Sequence, residues 1–211
     1  MIKRIGFACK WIDGPSQING IKQTDTAKQY NTSTTTVAWL KRQDRAVAEQ
    51  KLWDLMVGNL DAVQKLVDRV GELDENRRMV RLSSDILPVY TEPTFSYFWR
   101  RPDVIDYLDR NFILIGNSAR ASNTRLSMHP GQFTVLASIN EGIVQRSIEE
   151  FEYHADMARY MGYGKSFQDF KINWRHRLSG QRAQGTHAAR DCGAQEQRGD
   201  PQYGLYQARK A

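Results

Sequence analysis

Three short apolar runs, Met79–Ser83, Arg125–Met128 and Phe170–Trp174, begin roughly 45 residues apart, and the intervals between them carry helical periodicity. No feature of the chain constrains its fold more. A strand, a helix long enough to cross back and another strand form the parallel βα repeat, which packs helices on the faces of one sheet. A fourth run, Ile2–Cys9, precedes these three and ends near a Gly14-Pro15 turn signal. Strands are therefore expected near residues 2–9, 79–84, 124–129 and 169–174.

The helical intervals can be read residue by residue. Leu52, Met56, Leu60, Val63, Leu66 or Val67, and Val70 fall three or four apart, which predicts one buried helix face between about Thr36 and Glu72. Pro102 sits where a helix tolerates proline, at its first turn, and Val104, Leu108, Phe112 and Ile115 follow as a stripe. The next helix is expected over Glu141–Met161, its stripe formed by Val144, Ile148, Phe151, Ala155 and Ala158, with His154 beside it. The polar stretch Gln17–Thr36 reads as a long loop.

Strand and helix in alternation fit a doubly wound sheet or a (β/α) barrel. No glycine-rich phosphate fingerprint follows the first strand, so no nucleotide cofactor is expected and a TIM-type (β/α) barrel is preferred. Such barrels take about 250 residues in eight units. Four units in this chain make the expected α/β barrel incomplete. From Ser179 to Ala211 the only aliphatic residue beyond alanine is Leu205, and no periodicity remains. The expected organisation is a barrel part over residues 1–178 and a tail over 179–211, either disordered or out of frame after about Asn173.

Composition removes several classes. Hydrophobic residues make up 40% of the 211, with five Trp, nine Tyr and eight Phe, which is too many for a disordered chain. No apolar run reaches the about 18 residues of a membrane span, and the N-terminus lacks a signal-peptide pattern. Cys9 and Cys192 form no CxxC pair and no disulfide framework, which fits a reducing compartment, and a cytoplasmic location is expected; the protein is expected to be a monomer. Of the net charge of +6, residues 175–211 supply seven Lys or Arg against three Asp or Glu. The body is only weakly basic, and charge alone argues little for nucleic acid.

The chemistry concentrates in three segments. In Arg125-Leu-Ser-Met-His129-Pro-Gly-Gln-Phe133 a short buried strand delivers a histidine at its C-terminal end, before a Pro-Gly turn. That end of a barrel strand faces the active site, and imidazole is the commonest metal ligand. A lone histidine there is ordinarily a hydrogen-bonding cap, but Gln132 and Phe133 follow it on a loop with no core to fill. The second segment, Arg81-Leu-Ser-Ser-Asp-Ile-Leu-Pro-Val-Tyr-Thr-Glu92-Pro93, runs from a strand into a polar turn. The third, Phe167-Gln-Asp-Phe-Lys-Ile-Asn173, follows a Gly-Tyr-Gly turn.

Taken in order with the Arg4-Ile-Gly-Phe-Ala-Cys9 opening, RLSSDILPVYTEP, RLSMHPGQF and EYHADMARYMGYGKSFQDFKIN, the chain resembles the ultraviolet-damage endonuclease family up to about residue 173. The resemblance implies a TIM-type barrel with divalent metals, typically manganese, at its C-terminal face. It implies a damaged double-stranded DNA partner and cleavage of the phosphodiester 5′ of a photoproduct. His129 matches a metal ligand of the family, Gln132 and Phe133 match the pair that wedges into the duplex, and Phe7 matches an aromatic of the damaged-base pocket. A wedge suits a photoproduct because a poorly stacked base is cheaper to splay out.

Two departures bear on the metal site. Where many members carry a ligand histidine after the second block, Glu92 stands here, and its oxygens suit a hard cation. His176 lies near a later ligand position but in altered surroundings. The expected ligands are thus His129, Glu92 and His176, no general acid or base is singled out, and the chain alone is expected to be an inactive fragment. Rival readings are another metal-dependent barrel, such as an abasic-site endonuclease or a sugar isomerase, and a non-catalytic lesion-binding remnant.

Overall fold

The computed structural model describes residues 3–12, 25–131, 134–166 and 169–172. In chain order their elements are β1 (Phe7–Ala8), α1 (Asp25–Lys28), α2 (Val37–Leu40), α3 (Arg45–Gly71), β2 (Met79–Arg81), α4 (Pro102–Ala121), β3 (Arg125–Met128), α5 (Glu141–Tyr160) and β4 (Lys171–Ile172), with single 3-10 turns at Glu75–Arg77 and Phe98–Arg100. The four strands form one sheet in the order β1-β2-β3-β4, every pair parallel. They belong to the unit Met1–His176; the second unit, Arg177–Ala211, lies outside the described residues.

Register fixes which side chains share a face. Phe7 pairs with Val80 and Val80 with Leu126, so these three point to the same side. Val80, Leu82, Leu126 and Met128 are at most 3% exposed and join one apolar cluster with the α3 and α4 stripes. The opposite face carries Met79, Arg81, Arg125, Ser127 and Lys171. Gly6 lets the first strand come close, because a Cβ there would lie 2.1 Å from the Met79 carbonyl oxygen. Cys9, at φ 65°, ends β1.

Two helix expectations need correction. The single helix over 36–72 is two, α2 and α3, separated by Lys41-Arg42-Gln43-Asp44, which holds no apolar residue to continue the stripe. Thr36 caps α2 by accepting the Trp39 N–H at 3.2 Å, and Asp44 is extended where α3 begins. On α5 the buried face is Ser147, Tyr153, His154, Met157 and Ala158, rotated from the aliphatic stripe expected. Polar groups occupy this face because each has a partner: the Ser147 hydroxyl donates to the Ile143 carbonyl and accepts the Val135 N–H, both at 2.8 Å. The expected 17–36 loop also holds the short helix α1, and residues 13–24 lie outside the described residues. No helix among the described residues is long and apolar enough to cross a membrane.

Candidate functional site

His129 follows Met128, the last residue of β3, and is half-buried. Alternation carried one residue past the strand puts it on the face of Arg125 and Ser127, away from the helices. Its Nδ1 lies 2.5 Å from the Pro130 carbonyl oxygen. A carbonyl only accepts, so Nδ1 donates here and Nε2 is the ring nitrogen left to act as a ligand.

The backbone around this imidazole is fixed from two directions. Ser84 donates its hydroxyl to the His129 carbonyl at 2.6 Å, and Tyr153 donates to the Ser84 carbonyl at 2.7 Å while accepting the Leu87 N–H at 3.1 Å. Burial pushes the Tyr153 phenol far up, so it stays protonated and the donor is permanent. On the other side, the Gly131 N–H donates to Glu150 Oε1 at 3.3 Å. One turn of α5 therefore holds the chain both before and after Pro130. The turn after β2 is anchored too: Asn59, 2% exposed on α3, donates to the Ile86 and Ser33 carbonyls, each at 2.9 Å, and accepts the Ser33 N–H at 2.8 Å. Val89, a β-branched residue at φ 53°, bends the same loop sharply. From there Tyr90 packs against Tyr153 in a tilted ring contact, centroids 4.8 Å apart.

His154, fully buried on α5, donates Nδ1–H to the Glu150 carbonyl at 2.7 Å, as expected of a structural histidine in a helix. Its Nε2 is buried and has no hydrogen-bond partner among the described residues. Burial holds the imidazole below its usual pKa despite the Glu150 carbonyl and carboxylate, and the charge of His129 acts in the same direction as burial. The ring is thus neutral with a bare lone pair.

The other expected site residues are placed unequally. Glu92 is part-buried, but its Oε1 accepts from Thr94 at 3.0 Å and lies 3.6 Å from Lys41 Nζ, so that oxygen is engaged with the residue that follows α2 and with its own turn. Phe7 packs edge-to-face on Trp11, centroids 5.4 Å apart, on the helix-facing side of the sheet, which is a core contact. Gln132, Phe133 and His176 lie outside the described residues. Among the described residues no three His, Cys, Asp or Glu side chains stand together as a metal-holding group. What the described residues offer is narrower: one imidazole at a strand end, its Nδ1 against the Pro130 carbonyl. Ser84, Tyr153, Glu150 and Asn59 were not singled out by the sequence, because a polar side chain spent on backbone leaves no periodic trace.

The family model described as UV-endonuclease UvdE matches residues 4–183. The chain belongs to the UvdE family. A UV DNA damage endonuclease of Clostridium perfringens is 29% identical over 109 residues, covering 52% of this chain and 25% of that protein. A UV-damage endonuclease of Schizosaccharomyces pombe is 23% identical over 162 residues, covering 75% of this chain and 23% of that protein. The crystal structure of SacUVDE superposes with a TM-score of 0.59 at 24% identity, over 81% of this chain and 48% of that one. The α/β fold with its parallel sheet is thus that of a UvdE relative with a TIM barrel, and the chain spans well under half the length of these two curated UvdE relatives.

Proposed function

We propose that this chain serves the repair of ultraviolet-damaged DNA, as part of an endonuclease that hydrolyses the phosphodiester 5′ of a photoproduct in double-stranded DNA. The observation that carries this reading is the imidazole of His129, fixed at the end of β3 with Nδ1 donating to the Pro130 carbonyl, in a chain of the UvdE family. His129 would hold a divalent cation, for which manganese is the proposed species, with Glu92 and His176 as further donors. Bound divalent cations supply an acidified water and stabilise a departing oxygen in such hydrolysis. The chain's own contribution is geometric: Ser84, Tyr153 and Glu150 set the imidazole and the start of the loop that follows.

Gln132 and Phe133 come directly after Gly131, whose N–H is pinned to α5. They are the proposed lesion probes. Phe7 packs on Trp11 and is assigned no lesion contact. Binding of the purified chain to an irradiated and an unirradiated duplex, with manganese present, tests the reading. The irradiated duplex should bind more tightly, and Gln132→Ala with Phe133→Ala should remove most of that preference, since stacking is worth about 1–3 kcal/mol per base. Equal affinity for both duplexes overturns it.

A further inference from the structure

The end of the sheet opposite His129 gathers positive charge. A cleft of about 470 Å³ opens there, near the starts of β1, β3 and β4, and is lined by Arg4, Arg120, Arg125 and Lys171 with a single carboxylate, Asp169. Its volume is that of a small-ligand pocket. Arg125 and Lys171 stand on the same face of the sheet, since Arg125 alternates with Ser127 and Ser127 pairs with Lys171. Arg120 comes from the last turn of α4, which ends at this side of the sheet.

Two of these cations are held in place by groups that do not cancel their charge. Arg120 donates to the Met161 carbonyl at 2.9 Å and to Asn117 Oδ1 at 2.7 Å, and its guanidinium lies 5.1 Å from the centre of the Tyr163 ring. All three partners are neutral. Arg4 donates to the Asn123 carbonyl at 2.7 Å, with the exposed Glu75 carboxylate 3.5 Å away on its other nitrogen. Arg125 is exposed, and its side chain has no hydrogen bond or ion pair among the described residues. The one carboxylate is committed to its own turn: Asp169 Oδ2 accepts the Ser166 N–H at 2.9 Å and Oδ1 accepts the Ser166 hydroxyl. Arg120 and Arg125 thus face the cleft without a carboxylate partner of their own.

We propose that this cleft binds phosphate groups, with the guanidiniums of Arg120 and Arg125 as the contacting donors. A lone exposed arginine holds an anion weakly, but several cations around one cleft raise the local potential, and those already fixed by carbonyls lose little freedom on binding. The planar fork of arginine matches phosphate oxygens two at a time, and an excess of several positive charges calls for a group that carries more than one negative charge. The phosphate could come from a free phosphorylated small molecule or from a nucleic-acid backbone. The assignment does not depend on His129, which lies at the other end of β3.

The test uses the whole 211-residue chain in buffer of low ionic strength without divalent metal. Calorimetric titration with inorganic pyrophosphate should show saturable binding, weakened about 10-fold by Arg125→Gln, because hydrogen bonds to charged groups are the strong ones. Arg110→Gln removes the same charge from an exposed position of α4 outside the cleft and should leave the affinity unchanged. In the second arm, an undamaged DNA duplex is bound at increasing salt. A slope of log affinity against log salt that falls by about 0.9 in Arg125→Gln, but not in Arg110→Gln, assigns the phosphate to a nucleic-acid backbone. An unchanged slope beside weakened pyrophosphate binding assigns it to a free phosphorylated molecule. Equal effects of the two variants in both arms, or binding of neither probe, overturn the proposal. Amide shifts on the unmodified chain give an independent reading: pyrophosphate should move Thr124 and Arg125, and shifts confined to His129 and Gly131 overturn the proposal too.

Discussion

Tyr153 shows how one hydroxyl can govern a site it never enters. Its oxygen joins the Leu87 N–H to the Ser84 carbonyl, and Ser84 in turn holds the His129 carbonyl. Tyr153→Phe keeps the ring contact with Tyr90 but takes this partner from the buried Leu87 N–H and the part-buried Ser84 carbonyl, which should cost about 1–3 kcal/mol. Urea unfolding should show a lower midpoint with an unchanged slope, and a midpoint equal to wild type would mean that water replaces the hydroxyl. Sequence made His129 legible because a strand, a histidine and a Pro-Gly turn are contiguous. Tyr153 was not legible, since its partners lie 66 and 69 positions away and nothing local announces them. Glu92 was legible by residue type, but the contacts of its carboxylate were not. Its residue type suits a cation, but its oxygen is engaged with Thr94 and Lys41.

At the scale of elements, the parallel order of four strands was readable from spacing alone, and the phase of α5 was not. Aliphatic periodicity marks a buried face only where burial is apolar. On α5 the face is carried by Ser147, Tyr153 and His154, each hydrogen-bonded, so the apolar count pointed about one residue off. Helix packing supplies a prediction at Gly116. Within a helix, Gly→Ala ordinarily stabilises by about 1 kcal/mol through propensity. A Cβ at Gly116, however, would lie 1.9 Å from the carbonyl oxygen of Met161, which also accepts from Arg120 at 2.9 Å. Backbone cannot yield as a flexible side chain does, so the clash should outweigh propensity. Gly116→Ala should lower the melting temperature, whereas Gly58→Ala, with nothing within 4 Å of the added carbon, should raise it slightly. Equal shifts in the two variants would show that α4 and α5 are free to move apart.

For the whole molecule, the question is how much chemistry this chain performs alone. A catalytic metal centre needs several donors held together, and loss of even supporting residues commonly weakens metal affinity or activity about 10- to 100-fold. Among the described residues one strand-end imidazole is presented, no group of three donors stands together, and Oε1 of Glu92 is engaged with Thr94 and Lys41. The matched stretches cover only 25% and 23% of two curated relatives and 48% of SacUVDE. Nicking of irradiated supercoiled plasmid by the purified chain with manganese should therefore fall at least about 100-fold below that of a longer family member at equal concentration. Lesion preference in binding should survive, because the turn that launches Gln132 and Phe133 is braced wholly by residues of this chain: Ser84, Tyr153 and Glu150. Chelation should abolish whatever nicking is seen. Conversion of plasmid at the rate of the longer enzyme would sink this expectation, and would mean that the donors needed are supplied within these 211 residues.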